Sequence, residues 1–249
     1  ANGEAEQEPL RFGLAIVDLV TGHQAAQACL AALFARERTG EGQAIDICLF
    51  DTGLALLAYH ANNSMWLDKE PPRLGNSNPY VAPYGLFKVS DGYVILAIAN
   101  DGQYRRLAAD VLKAPELIDD PRFTTNQLRA KNSEAMEAIL QPYLDRFTRA
   151  EICKALDTQK LPGGEVRTVL EALRSAEAAA RGMVHKIQHP HAGEISLIGS
   201  PLRLSKSGVE PVNRPPSLGE NSAEVLRAMG RDDAQIADLL ARGIIQEPA

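Results

Sequence analysis

The run from Phe12 to Arg38 restricts the fold more than any other part of this 249-residue chain. Phe12-Gly13-Leu14-Ala15-Ile16-Val17 is short, apolar and partly β-branched, the pattern of a buried strand. Asp18 to Gly22 then opens the Ala-rich segment Gln24 to Arg38, which has the composition of a helix. That helix should stop at Arg36-Glu37-Arg38-Thr39-Gly40, where cations suit the terminal dipole and Gly the left-handed cap. Gln43 to Phe50 alternates around Ile45, Ile47 and Leu49 and reads as a second strand, after which Asp51 caps a helix through Leu54, Leu57 and Ala61. Strand, helix, strand, helix is an α/β opening.

Asp18 is the residue this junction singles out. An acid just before a helix start faces the positive end of the peptide dipoles and several unpaired N–H groups, which favours its ionised form. On local pattern alone it reads first as a cap or turn residue, because acids near helix starts are common. His23 reads likewise as a cap neighbour, with a base or ligand-facing role as the alternative. His60 and Trp66 read as packing residues before chemistry, and Arg36, Glu37 and Arg38 as a solvated helix terminus.

A net charge of −6 without basic runs excludes a nucleic-acid surface and gives no reason to expect a membrane one. No apolar run is long enough for a membrane span, and the acidic N-terminus has no signal-peptide pattern. Cys29, Cys48 and Cys153 are far apart, and two lie in apolar segments where a buried free thiol is expected, so the setting is read as reducing and cytoplasmic. His185, His189 and His191 fall on a predicted strand and a Pro-Gly turn, and no metal is assigned to them. No dinucleotide or phosphate-loop glycine motif is present, which removes hydride and phosphoryl transfer.

From Asp68 to Pro83 the prolines interrupt regular structure and predict a linker or loop. Tyr84 to Val89 and Tyr93 to Ile98 form a hairpin across Ser90-Asp91-Gly92. Helices follow near Gln103 to Leu112, Asn126 to Phe147 and Arg149 to Leu156, with Pro142 breaking or bending the long one. Leu161-Pro162-Gly163-Gly164 should stop this α+β unit. Val169 to Arg181 reads as one amphipathic helix, Met183 to Ile187 and Glu194 to Leu204 as strands, and Asn213 to Gly219 as an extended segment. Two short helices close the chain, one capped by Asn221 or Ser222 and one started by Arg231-Asp232-Asp233.

Val17-Asp18-Leu19-Val20-Thr21-Gly22, then Ala31 to Gln43 and Ala44-Ile45-Asp46-Ile47, resemble the central block of the family III CoA-transferases, the CaiB/BaiF family. Similar stretches follow in order: Gly75 to Pro79, Asp91 to Val94, Asn100 to Tyr104, Asp120 to Phe123, Ala180 to Val184, Gly199 to Leu204 and Arg214 to Asn221. The resemblance implies a Rossmann-like large α/β domain with a smaller α+β domain joined by extended linkers. On that pattern residues 1–67 belong to the large domain and carry the catalytic carboxylate. Residues 68–168 form the small domain with its entry linker, and residues 169–249 are the return linker and the end of the large domain.

The resemblance also implies that Asp18 is the nucleophile of CoA transfer from an acyl-CoA thioester to a carboxylic acid, through aspartyl anhydride and aspartyl-CoA intermediates. Gly75, Asn76 and Asn78 match the family's glycine-rich lid loop, with fewer glycines than some members have. Coenzyme A enters as the substrate's thioester, with no resident cofactor and no metal. Asn100-Asp101-Gly102-Gln103 leans toward dicarboxylic acyl groups. Nothing here matches the family's N-terminal CoA-binding part, so the chain is read as a C-terminal portion, inactive alone, of a protein that forms an interlocked homodimer when full length. The alternatives are an α-methylacyl-CoA racemase of the same family, in which an Asp works with a His, and a non-catalytic fragment.

Overall fold

The computed structural model describes residues 2–4, 6–208 and 212–246, so positions 1 and 5 of the N-terminal lead-in lie outside it. The chain divides into two compact units between Val166 and Arg167. The first opens on α1 (Ile16–Thr39), α2 (Leu49–Leu56) and α3 (Tyr59–Leu67). Gly40 ends α1 at φ 78°, its N–H donating to Arg36 O, as its left-handed freedom predicts.

The expected strands on either side of α1 do not form. Phe12 to Ala15 is irregular and α1 begins at Ile16, while Gln43 to Cys48 has no ladder partner among the described residues. A strand is defined by its neighbour, and alternation in one segment cannot supply the second. Asp51 lies inside α2 rather than capping it, Cys48 being the N-cap. The second helix is split at Ala58, whose φ of 49° breaks the spiral between α2 and α3.

The core of this unit belongs to residues 82–161. β1 (Tyr84–Val89) and β2 (Gly92–Ala97) form the predicted antiparallel hairpin, with Val89 paired to Gly92 across Ser90 and Asp91. The turn is fastened to a helix start distant in sequence: Asp91 Oδ1 accepts from Arg149 N–H at 2.7 Å, and Ser90 Oγ donates to Phe147 O at 2.7 Å. Phe87, Val89, Val94 and Leu96 are buried under the helices that follow. These are α4 (Asp101–Arg106), continued by one π-helical turn (Leu107–Val111), then α5 (Asn126–Lys131), α6 (Ser133–Leu144) and α7 (Arg149–Thr158). The long predicted helix breaks at Asn132, while Pro142 lies inside the last turn of α6, which runs on to Leu144.

Gly163 and Gly164 do not end the unit. β3 (Gly163–Glu165) adds to β2, giving a three-stranded sheet in the order β1-β2-β3. A Cβ at Gly163 would lie 2.8 Å from both Ile95 O and Leu156 Cδ1, so the close approach requires glycine.

The second unit holds α8 (Val169–Leu173), α9 (Ala176–Ala180), β4 (Val184–His189), β5 (Gly193–Ile198), α10 (Ser222–Ala228) and α11 (Asp233–Ala241). The single helix expected over 169–181 is two, because the Ser175 hydroxyl accepts from Ala178 N–H and starts a new one. The predicted β4–β5 hairpin forms, with Val184 opposite Ile198. Asp232 and Gln235 make a capping box at α11, while Asn221 flanks α10 without a side-chain cap bond. No helix among the described residues is long and apolar enough to cross a membrane.

Candidate active site

Asp18 is the third residue of α1, inside its first turn rather than just before the helix start as expected. Ala15 is the N-cap, and it makes no side-chain cap bond. The Asp18 side chain is exposed, at the dipole's positive end. Below it Thr21 Oγ1 donates to Val17 O at 2.7 Å. The helix is held to α2 by the buried Thr52, whose hydroxyl donates to Gln24 Oε1 at 2.8 Å. No residue of α1 is itself buried.

Gly75, Asn76 and Asn78 occupy a loop with fixed ends. Gly75 N–H donates to Gly3 O at 3.0 Å, and Ser77 pairs with Gly85 as an isolated bridge. Asn78 Oδ1 accepts from the Tyr80 and Val81 amides at 2.9 and 3.2 Å, an Asx turn. Gly85 has φ 152°, and a Cβ there would lie 2.2 Å from Asn76 O. The loop is backed by Asn126, which donates to Tyr80 O at 2.8 Å and accepts from Ala82 N–H at 3.3 Å.

Behind that loop, Arg129 is fully buried. Its guanidinium donates to Ala82 O at 2.9 Å and Phe123 O at 3.1 Å, pairs with Asp101 Oδ1 at 2.8 Å, and lies 4.5 Å over the Tyr104 ring. Arg129 carries no mark in the sequence, because nothing local distinguishes a buried arginine from a surface one.

Other expectations change. Trp66 is 78 % exposed and no residue of α3 is buried, so its predicted packing is not made within the described residues. Cys29 and Cys48 are exposed and Cys153 half-buried, contrary to the buried thiols expected, because among the described residues nothing covers α1 and the segment before α2 at these positions. His23 is exposed. His189 Nδ1 accepts from the His191 and Ala192 amides, which commits it to the β4–β5 turn. No group of His, Cys, Asp and Glu suited to a metal occurs among the described residues.

Comparison with known proteins gives the chemistry a context. A mouse succinyl-CoA:glutarate CoA-transferase is 32 % identical over 98 % of this chain and 56 % of its own length. A succinate–glutarate CoA-transferase of Agrobacterium fabrum is 32 % identical over 90 % of this chain and 56 % of its length. The crystal structure of a CaiB/BaiF family protein from Brucella suis superposes with a TM-score of 0.78 at 36 % identity, covering 92 % of this chain and 59 % of that one. The chain therefore spans about half the length of the curated relatives it matches. The family model for CoA-transferase family III matches residues 1–222, and the chain belongs to that family.

Proposed function

We propose that Asp18 is the nucleophile of a CoA-transferase. Its carboxylate attacks the thioester carbonyl of an acyl-CoA, forming a mixed anhydride and releasing CoA thiolate. The thiolate attacks the aspartyl carbonyl of that anhydride, giving an aspartyl-CoA thioester and freeing the donor acid. An incoming carboxylate opens this thioester as a second anhydride, and the thiolate then takes the new acyl group and restores Asp18. The observation that carries the reading is a carboxylate in the first helical turn of a family member, the kind of side chain that can form a covalent acyl intermediate.

Both anhydrides must be kept from water. Asp18 is exposed here, so we assign its cover to parts of the full-length subunit outside this chain and to the loop at Gly75, Asn76 and Asn78. Residues 1–67 and 169–249 are assigned to the large domain and 68–168 to the small one, within an interlocked homodimer. Since two relatives are named for succinyl or succinate and glutarate, a dicarboxylic donor and acceptor are the proposed pair.

The test is to co-express the chain with a family N-terminal part, incubate with succinyl-CoA, and trap acyl-enzyme with hydroxylamine for mass spectrometry. A hydroxamate at Asp18, absent in Asp18→Asn, is the expected result. Full transfer activity in Asp18→Ala, or exchange of an α-hydrogen for deuterium without an adduct, would overturn it.

A further inference from the structure

The loop that carries Asn76 and Asn78 leaves toward β1 through Tyr80, Val81 and Ala82, which belong to no strand. With no ladder to direct it, the shape of this exit depends on the side chains that reach its backbone. They come from α5, whose Asn126 and Arg129 lie three residues apart and so share a face. Asn126 donates to Tyr80 O at 2.8 Å and accepts from Ala82 N–H at 3.3 Å, and Arg129 Nε donates to Ala82 O at 2.9 Å. Asn78 is joined to the same segment from within the loop, its Oδ1 accepting from the Tyr80 and Val81 amides. A displacement of α5 therefore reaches Asn78 through one short stretch of backbone.

Arg129 is in turn held by the interior. Its guanidinium also donates to Phe123 O at 3.1 Å, pairs with Asp101 Oδ1 at 2.8 Å and lies over the Tyr104 ring. A buried charge is a costly way to hold a core together, where an apolar side chain of similar volume often serves as well or better. What the planar fork supplies and an apolar side chain cannot is direction. The loop exit, the turn before α5 and the start of α4 are all set against one guanidinium.

We infer that Arg129 and Asn126 are positioning residues for the loop proposed to cover Asp18. They act on Asn78 through Tyr80 to Ala82, with Asp101 steadying the Arg129 fork. The catalytic consequence rests on that reading of the loop, whereas the clamp rests on the hydrogen bonds alone.

Hydrogen exchange of the chain by itself tests the clamp. Asn126→Ala removes two of the three bonds from a half-buried site outside the core. Exchange at the Tyr80, Val81 and Ala82 amides should quicken roughly tenfold, with the β4–β5 hairpin unchanged. Arg129→Lys, which keeps the charge but not the fork, should do the same. The positioning role is tested in the complex with a co-expressed family N-terminal part, where succinyl-CoA is either transferred to glutarate or lost to water. A misplaced cover admits water, so the ratio of hydrolysis to transfer should rise roughly threefold or more in both variants. Mere loss of folded protein would lower both rates together and leave the ratio alone. Unchanged exchange over Tyr80 to Ala82 in Asn126→Ala would overturn the clamp, and quickened exchange with an unchanged ratio would overturn the positioning role. Transfer surviving in Asp18→Asn would overturn the nucleophile reading instead, and the exchange result would stand apart from it.

Discussion

Replacing Arg129 with Met removes a buried charge while keeping a long side chain in its place. Two carbonyls, Ala82 O and Phe123 O, lose their donors, and an unsatisfied buried acceptor costs about 1–3 kcal/mol. The contact with the Tyr104 ring adds about 0.5–2 kcal/mol. Asp101 loses its partner too, but its side chain is 41 % exposed and water can take over. Methionine escapes the desolvation cost of the guanidinium, which offsets part of the loss. The net expectation is a destabilisation of about 3 kcal/mol, a large share of the roughly 5–15 kcal/mol of a whole domain. Urea unfolding followed by near-UV and far-UV circular dichroism measures it. At about 2 kcal/mol per molar urea the midpoint should fall by about 1.5 M. Arg129→Lys should lie between, because a point charge cannot reach every acceptor of a planar fork. A loss under about 1 kcal/mol in Arg129→Met would refute the clamp.

Tyr104 is pushed up to about 12 from 10.0, chiefly by burial, with the Arg129 charge acting the other way. Its folded-state pKa is raised, so its contribution is complete below about pH 10 and is lost as pH climbs through 12; Tyr104→Phe should flatten alkaline unfolding in that window. Glu177, hydrogen-bonded by Arg167, and Glu220, hydrogen-bonded by Arg214, are each lowered to about 2 from 4.5. Both groups stabilise above about pH 4.5 and cease to as pH falls toward 2. Hydrogen exchange over residues 167–208 and 212–246 should therefore quicken in that range, and a pH profile unchanged in Glu177→Gln/Glu220→Gln would contradict this. Gly85→Ala should cost roughly 2 kcal/mol and free the Asn76–Ser77 stretch for proteolysis; an uncleaved variant with wild-type stability would refute it.

The features legible in the sequence are those whose cause is local. Asp91-Gly92 announces the hairpin, Gly40 the end of α1, and Arg231-Asp232-Asp233 the start of α11. What stayed hidden depends on distant partners. Gly163 reads as a break until Ile95 is beside it, and Gln43 to Cys48 reads as a strand although nothing among the described residues pairs with it. Asp18 is similar: its local setting allows a cap, and only the ordered set of family stretches suggests the role proposed for it.

The helix bearing Asp18 runs 24 residues with no buried side chain, while the interior gathers around residues 82–161. Amide protection should follow that division, slow across β2 and α6 and fast along α1, which has little beyond the Thr52–Gln24 bond to resist fraying. Asp18, the proposed nucleophile, thus rides on the part of the chain most easily rearranged, so that on this proposal whatever covers α1 also decides when the carboxylate is held in place.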